Sequence, residues 1–97
     1  MLIKGVQFSG PHNPRLSFSR DFAAVYLVTD TIGRPIDIGQ TESINQRLPS
    51  HDRKSCWFNT AYNGDPKLYV CLENSEQKRL EVEWRIRNSY MFTCGYR

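Results

Sequence analysis

Both registers of alternation are apolar from Phe22 to Thr29: Ala24, Tyr26 and Val28 fall on one side, Ala23, Val25 and Leu27 on the other. Such a run, rich in β-branched and aromatic residues, predicts a strand covered on both faces. Asp30-Thr31-Ile32-Gly33 then supplies turn chemistry. Arg34–Gly39 predicts the return strand, with Ile36 and Ile38 on one face and Asp37 on the other, and Pro35 suits its start or its edge. A loop this short implies antiparallel pairing.

Past Gly39 the pattern turns helical. Thr41 or Ser43 can cap a helix whose Ile44 and Leu48 face the core, with Arg47 on the adjoining ridge. Pro49 should end it after about two turns. His51-Asp52-Arg53-Lys54 reads as polar surface, and Asn63-Gly64-Asp65-Pro66 as a turn. Lys67–Leu72 predicts a third strand. Asn74, with Gln77 three residues on, predicts the cap of a last helix running through about Asn88, before a non-helical tail from Met91 to Gly95. Residues 2–9 predict an extra N-terminal strand anchored by Ile3, Val6 and Phe8, and Gly10-Pro11-His12-Asn13-Pro14 should break any regular structure. The expected architecture is α/β: a small three-stranded sheet, mixed or antiparallel, flanked by helices.

Length changes this picture little. A chain of 97 residues supports one domain, residues 1–97, and at this size dimerisation or a bound partner would add stability. With 13 Lys+Arg against 10 Asp+Glu the net charge is +3, a basic bias that suits nucleic acid and does not require it. Cys56, Cys71 and Cys94 form no C-x-x-C, which leaves zinc without support; Cys71 fits a buried thiol, and the other two stay unassigned. No apolar run reaches membrane-spanning length and the N-terminus has no apolar leader core, so a reducing cytoplasm is the expected setting.

The last helix carries two candidate acids. Val82, Ile86 and Tyr90 make one apolar stripe and Leu80 with Trp84 another; Glu83 falls between them, and Glu81 points the opposite way. A carboxylate set in an apolar arc must be paired or metal-bound. Arg79 and Arg87 share its ridge, so an Arg–Glu–Arg ladder and a metal ligand both remain open on periodicity alone.

Taken together these pieces resemble the GIY-YIG nuclease family. Ala24-Val25-Tyr26 resembles its first motif, and Asp37-Ile38-Gly39, followed by Gln40-Thr41, resembles its second. Arg47 stands where the family carries its helical arginine, and His51 follows four residues later, where an aromatic or histidine is usual. Glu83, Ile86 and Tyr90 fit the spacing of the late-helix motif that begins with the metal-binding glutamate, and Glu81 does not. The resemblance spans about residues 22–94. Two departures stand out. Ala24 replaces a glycine, and Asp37 replaces the second-motif tyrosine, which in several members acts as the general base or orients the water. Gln40 stands where repair-type members carry a lysine.

The resemblance implies a metal-dependent endonuclease that hydrolyses DNA phosphodiesters, with magnesium or manganese as cofactor. Glu83 would bind the metal, Arg47 would stabilise the phosphoryl transition state, Tyr26 would accept the water's proton, and His51 would orient the phosphate or share proton traffic. As a base, Tyr26 needs its pKa lowered well below about 10. Asp37 is then either a second metal ligand or the partner of Arg15, Arg34 or another cation. This requires that Arg47 and Glu83 meet beside the Tyr26 phenol. The alternative is a catalytically weak or inactive nucleic-acid-binding module on the same fold. The expected partner is DNA, with little surface for reading base edges and hence weak sequence specificity, unless a homodimer or a targeting protein supplies more.

Overall fold

The computed structural model describes residues 1–61 and 64–94; Asn63 of the expected turn and Gly95 of the tail lie outside them. Its elements are β1 (Leu2–Ile3), β2 (Val6–Gln7), β3 (Ser9–His12), β4 (Ala24–Thr29), β5 (Pro35–Thr41), α1 (Ile44–Arg47), α2 (Lys54–Thr60), β6 (Lys67–Leu72) and α3 (Glu76–Arg87). β1 and β2 pair with each other. The remaining strands form one sheet in the order β3-β6-β4-β5, antiparallel throughout, so the sheet has four strands rather than three and no parallel pair.

The apolar alternation of β4 places it where expected, between β5 and β6, with all six residues buried. On one face Ala24, Tyr26 and Val28 pack with Ile44 and Leu48 around α1 and with Trp57 of α2. On the other, Val25 and Leu27 pack with Phe8, Ile38, Phe92 and Ile86 of α3. The turn between β4 and β5 is held by Asp30, whose Oδ1 accepts from the Ile32 and Arg34 amides at 3.1 and 2.8 Å.

Several expected elements come out differently. Residues 2–9 form a two-residue hairpin instead of one strand, because Lys4 (φ 50°) and Gly5 (φ 81°) turn the chain between Ile3 and Val6. The Gly-Pro stretch after them, expected to be a loop, is the edge strand β3, where a proline leaves no inner ladder bond unmade. Gly10 lies at φ 137° in a place where a Cβ would stand 2.7 Å from the Leu68 carbonyl oxygen. The first helix is one turn long, capped by Ser43, whose Oγ accepts from the Gln46 amide. Ser75 rather than Asn74 caps α3, accepting from the Lys78 amide at 3.3 Å. Of the two expected apolar stripes, Val82 and Ile86 face the sheet, whereas Tyr90, expected with them, and Leu80 and Trp84 are exposed.

The free side of β5 is closed by the chain's own C-terminal region. The Cys94 amide donates to the Ile36 carbonyl at 2.9 Å, and Arg87 donates to that of Ile38 at 2.8 Å. An open strand edge invites pairing with other chains, and these contacts occupy it. Cys94 is also joined to Cys56 of α2 by a disulfide, a pairing that sequence spacing left unassigned.

Candidate active site

The antiparallel register sets Tyr26 directly opposite Gly39. The Tyr26 ring lies over that glycine so closely that a Cβ at position 39 would collide with the phenol oxygen and Cζ. Position 39 is therefore glycine for reasons of space: it seats the Tyr26 ring. Gly39→Ala should displace the phenol and cost about 1–3 kcal/mol, as overpacking of a dense core does. A urea titration checks this, and an unchanged midpoint would remove the argument.

Seated there, the Tyr26 hydroxyl lies 2.7 Å from His51 Nε2. His51, expected at the surface, is 5% exposed and packs edge-on to Tyr26 and against Trp57. Its other nitrogen, Nδ1, accepts from the Arg53 backbone N–H at 3.1 Å, so Nδ1 carries a lone pair. The proton of the neutral ring is then on Nε2, and it is the imidazole that donates to the phenol oxygen. Both ring nitrogens are thus occupied within the protein. His51 orients Tyr26 and has no ring nitrogen left for a phosphate; of the two roles the resemblance implies, its contacts leave room only for sharing proton traffic with Tyr26.

Electrostatics agree with a neutral pair. Burial, with the Arg47 and Arg53 charges behind it, lowers the His51 pKa to about 4. Burial also raises the Tyr26 pKa above its ordinary value, against the opposing pull of the Arg47 charge. Sequence reasoning required a lowered phenol; in the free chain it is raised, because Tyr26 is 1% exposed. Arg47 thus stands beside Tyr26 and His51, as the motif spacing implied. It is partly exposed and paired with Asp52 at 3.3 Å. An open polar groove lined by Thr41, Glu42, Ser43, Gln46 and Ser50 runs up to it.

Asp37 is fully buried on the same side. Its Oδ2 accepts from Arg53 Nε at 2.8 Å and from the Trp57 indole at 2.7 Å. Its Oδ1 accepts from the Ile38 amide at 2.8 Å and Arg53 Nη2 at 3.3 Å. With four donors on two oxygens, no lone pair is left for an ion, so Asp37 is the partner of a cation and not a metal ligand. The cation is Arg53, whereas Arg34 pairs with Asp30 and Arg15 with Asp65. Arg53 and Trp57 carried no motif signal.

Glu83 does not join this group, so the expected meeting of Arg47 and Glu83 beside the Tyr26 phenol does not occur: α3 covers the other face of the sheet. It lies on α3, against the sheet face opposite to Tyr26, and pairs with Arg87 at 2.8 Å. Arg87 in turn reaches the Ile38 carbonyl, so the Glu83–Arg87 pair comes up to the free edge of β5 from the far side. Gln40 shares that side and accepts from Arg79 Nε at 2.8 Å. Glu81 is exposed, as periodicity required. Of the other motif residues, Ala24, Val25 and Ile38 are buried core, and Thr41 Oγ1 accepts from the Ser43 amide.

No group of three His, Cys, Asp or Glu side chains is placed to hold a metal among the described residues. The donor set for the implied ion is one carboxylate, Glu83. Magnesium accepts that arrangement, keeping its waters and taking further oxygens from a phosphate. Glu83 would have to exchange Arg87 for the ion.

The chain matches no protein-family model, no curated protein and no solved structure in the comparisons made.

Proposed function

We propose that this chain is a metal-dependent endonuclease of the GIY-YIG kind, acting on DNA phosphodiesters through Tyr26 and Arg47 on one sheet face, with Glu83 reaching the phosphate around the free edge of β5 from the other face once it has given up Arg87 for the ion. The observation that carries the reading is the hydrogen bond between Tyr26 and His51 with Arg47 beside both. Motif spacing had singled out these three residues from segments up to 25 positions apart. The polar groove beside Arg47 offers a phosphate an approach, and a planar, permanently charged guanidinium suits its oxygens. Donation from His51 Nε2 and the charge of Arg47 both favour the phenolate over the phenol. A magnesium or manganese ion at Glu83 would supply positive charge and a bound water of lowered pKa.

A second reading, the binding module without cutting, is favoured by particular observations. The phenol is nearly inaccessible, Glu83 is tied to Arg87 on the other face, and Asp37 is committed to Arg53 and Trp57. The Cys56–Cys94 bond bears on setting in either case: disulfides persist chiefly in oxidising compartments, which counts against the reducing cytoplasm expected from the sequence. Among the described residues no helix is long and apolar enough to cross a membrane.

Nicking of supercoiled plasmid with magnesium or manganese separates the two readings. The wild type should nick, and Arg47→Ala and Glu83→Ala should each lower the rate by about 10²–10³, the usual loss when one transition-state contact is removed. Salt-dependent binding without nicking establishes the module instead. Absence of both ends the nucleic-acid reading.

A further inference from the structure

Asp37 occupies the position at which the chain departs most from the family it resembles, and its surroundings give that departure a purpose. The segment from His51 to Trp57 has to deliver three things to one face of β5: the imidazole, the Arg53 amide and the indole. Asp37 receives the indole directly and holds Arg53 by its guanidinium. Its Oδ2 takes Arg53 Nε at 2.8 Å and Trp57 Nε1 at 2.7 Å, its Oδ1 takes Arg53 Nη2 at 3.3 Å, and its position on β5 is fixed by the Ile38 amide. A two-point arginine–carboxylate fork restricts direction as well as distance. Arg53 is the residue immediately before α2, and no side chain caps that helix. The fork on Asp37 and the buried indole therefore hold the start of α2 in place. The same residue's backbone N–H points at His51 Nδ1, at 3.1 Å.

We infer that Asp37 is a positioning residue: by anchoring Arg53 and Trp57 it keeps the Arg53 amide on His51 Nδ1, and so fixes the imidazole tautomer that donates from Nε2 to the Tyr26 phenol. The inference rests on the proposed function only for its consequence, that Tyr26 is the site's phenol. The tautomer and its cause stand on geometry alone. In place of a second tyrosine beside the phosphate, the chain has an aspartate that acts on the first tyrosine through two intermediaries. Without the anchor, the Arg53 amide is free to leave Nδ1. The proton can then move to that nitrogen, where the exposed Asp52 carboxylate stands 3.4 Å away to receive it. The hydrogen bond to Tyr26 would reverse, with the phenol donating to a bare Nε2.

Nitrogen NMR of the histidine rings in the full chain tests this directly, since it distinguishes a bare ring nitrogen from a protonated one. In the wild type at neutral pH, His51 should show a bare Nδ1 and a protonated Nε2. In Asp37→Asn, which keeps the size of the side chain, the Nδ1 signal should move toward the midpoint of an exchanging pair of tautomers while that of Nε2 moves the opposite way. Arg53→Lys keeps the charge and the backbone amide but gives up the fork, and should shift the signals in the same direction by less; it serves if Asp37→Asn does not fold. A wild type with a protonated Nδ1 overturns the inference, as does a folded variant whose two signals stay at their wild-type positions. Neither result involves DNA, so a failure here is separate from a failure to nick.

Discussion

Asp37→Ala should lower the stability of the folded chain by about 3–5 kcal/mol, the usual cost of removing one partner of a buried ion pair. The magnitude follows from what the alanine leaves behind. Trp57 is fully buried, and its indole N–H would have no acceptor in place of the carboxylate at 2.7 Å. The Arg53 guanidinium, a quarter exposed, would lose both halves of its fork, and the Ile38 amide at the edge of β5 would lose its carboxylate acceptor at 2.8 Å. Small domains hold only about 5–15 kcal/mol in all, so a loss of this size takes a large part of the total. Urea denaturation followed by Trp57 fluorescence measures it. A loss under about 1 kcal/mol would mean that water replaces the carboxylate at little cost, and that the buried cluster is not the anchor described above.

The prediction also explains why sequence reasoning could go only so far at this position. On a strand, period-two alternation fixes the face of a residue: it sets Asp37 opposite Ile38 correctly, but the register shift between Val28 and Thr29 brings Ile36, expected beside Ile38, round to the Tyr26 side. It says nothing about what comes down onto that face from another segment. Arg53, just before α2, and Trp57, within it, arrive with a seven-residue helix that has poor helix formers at most positions and no side-chain cap. Its existence is decided by burial of Trp57 and by the bond from Cys56 to Cys94, both of them tertiary facts. The edge strand β3 escaped for a related reason. A Gly-Pro pair is a sound signal against an inner strand, but one side of an edge strand makes no ladder bonds.

What was legible came from spacing within a single element or across one short turn. The β4–β5 hairpin, β6 and the ridge of α3 all obey local periods, and the Tyr26–Gly39 contact follows from their register. Arg47 and His51 are expected beside Tyr26 only through the motif spacing of the family the chain resembles; the local pattern alone reads His51 as surface. Glu83 shows where that logic stops. Helical periodicity turned it toward the sheet, which is right, but gave no means of telling which sheet face α3 would cover. That choice belongs to Ile86 and Val82, which pack with Val25, Leu27 and Ile38 on the side away from the phenol.

The His51 environment makes a further demand on the fold, one that appears as acid lability. An unfolded histidine titrates near 6.5, whereas in the folded chain burial and the Arg47 and Arg53 charges bring the value to about 4. Between those two values the unfolded chain binds a proton that the folded chain does not, so stability rises with pH across that window. The contribution is complete above pH 6.5, is lost as the pH falls toward 4, and changes no further below it. Between pH 7 and pH 5 the loss should be about 2 kcal/mol from this residue alone. The carboxylates whose pKa values are lowered, Asp21, Asp30 and Asp52, release their own contributions at lower pH, below their ordinary value of 3.8, so the two effects separate. Urea midpoints at pH 7, 6 and 5, compared with those of His51→Gln, isolate the histidine. The variant is less stable at pH 7 for want of the Nδ1 contact, yet its midpoint should hardly move over that range. Wild-type midpoints as flat as the variant's would show that the imidazole can take up a proton where it sits, and the bare Nδ1 assigned to it would then be wrong.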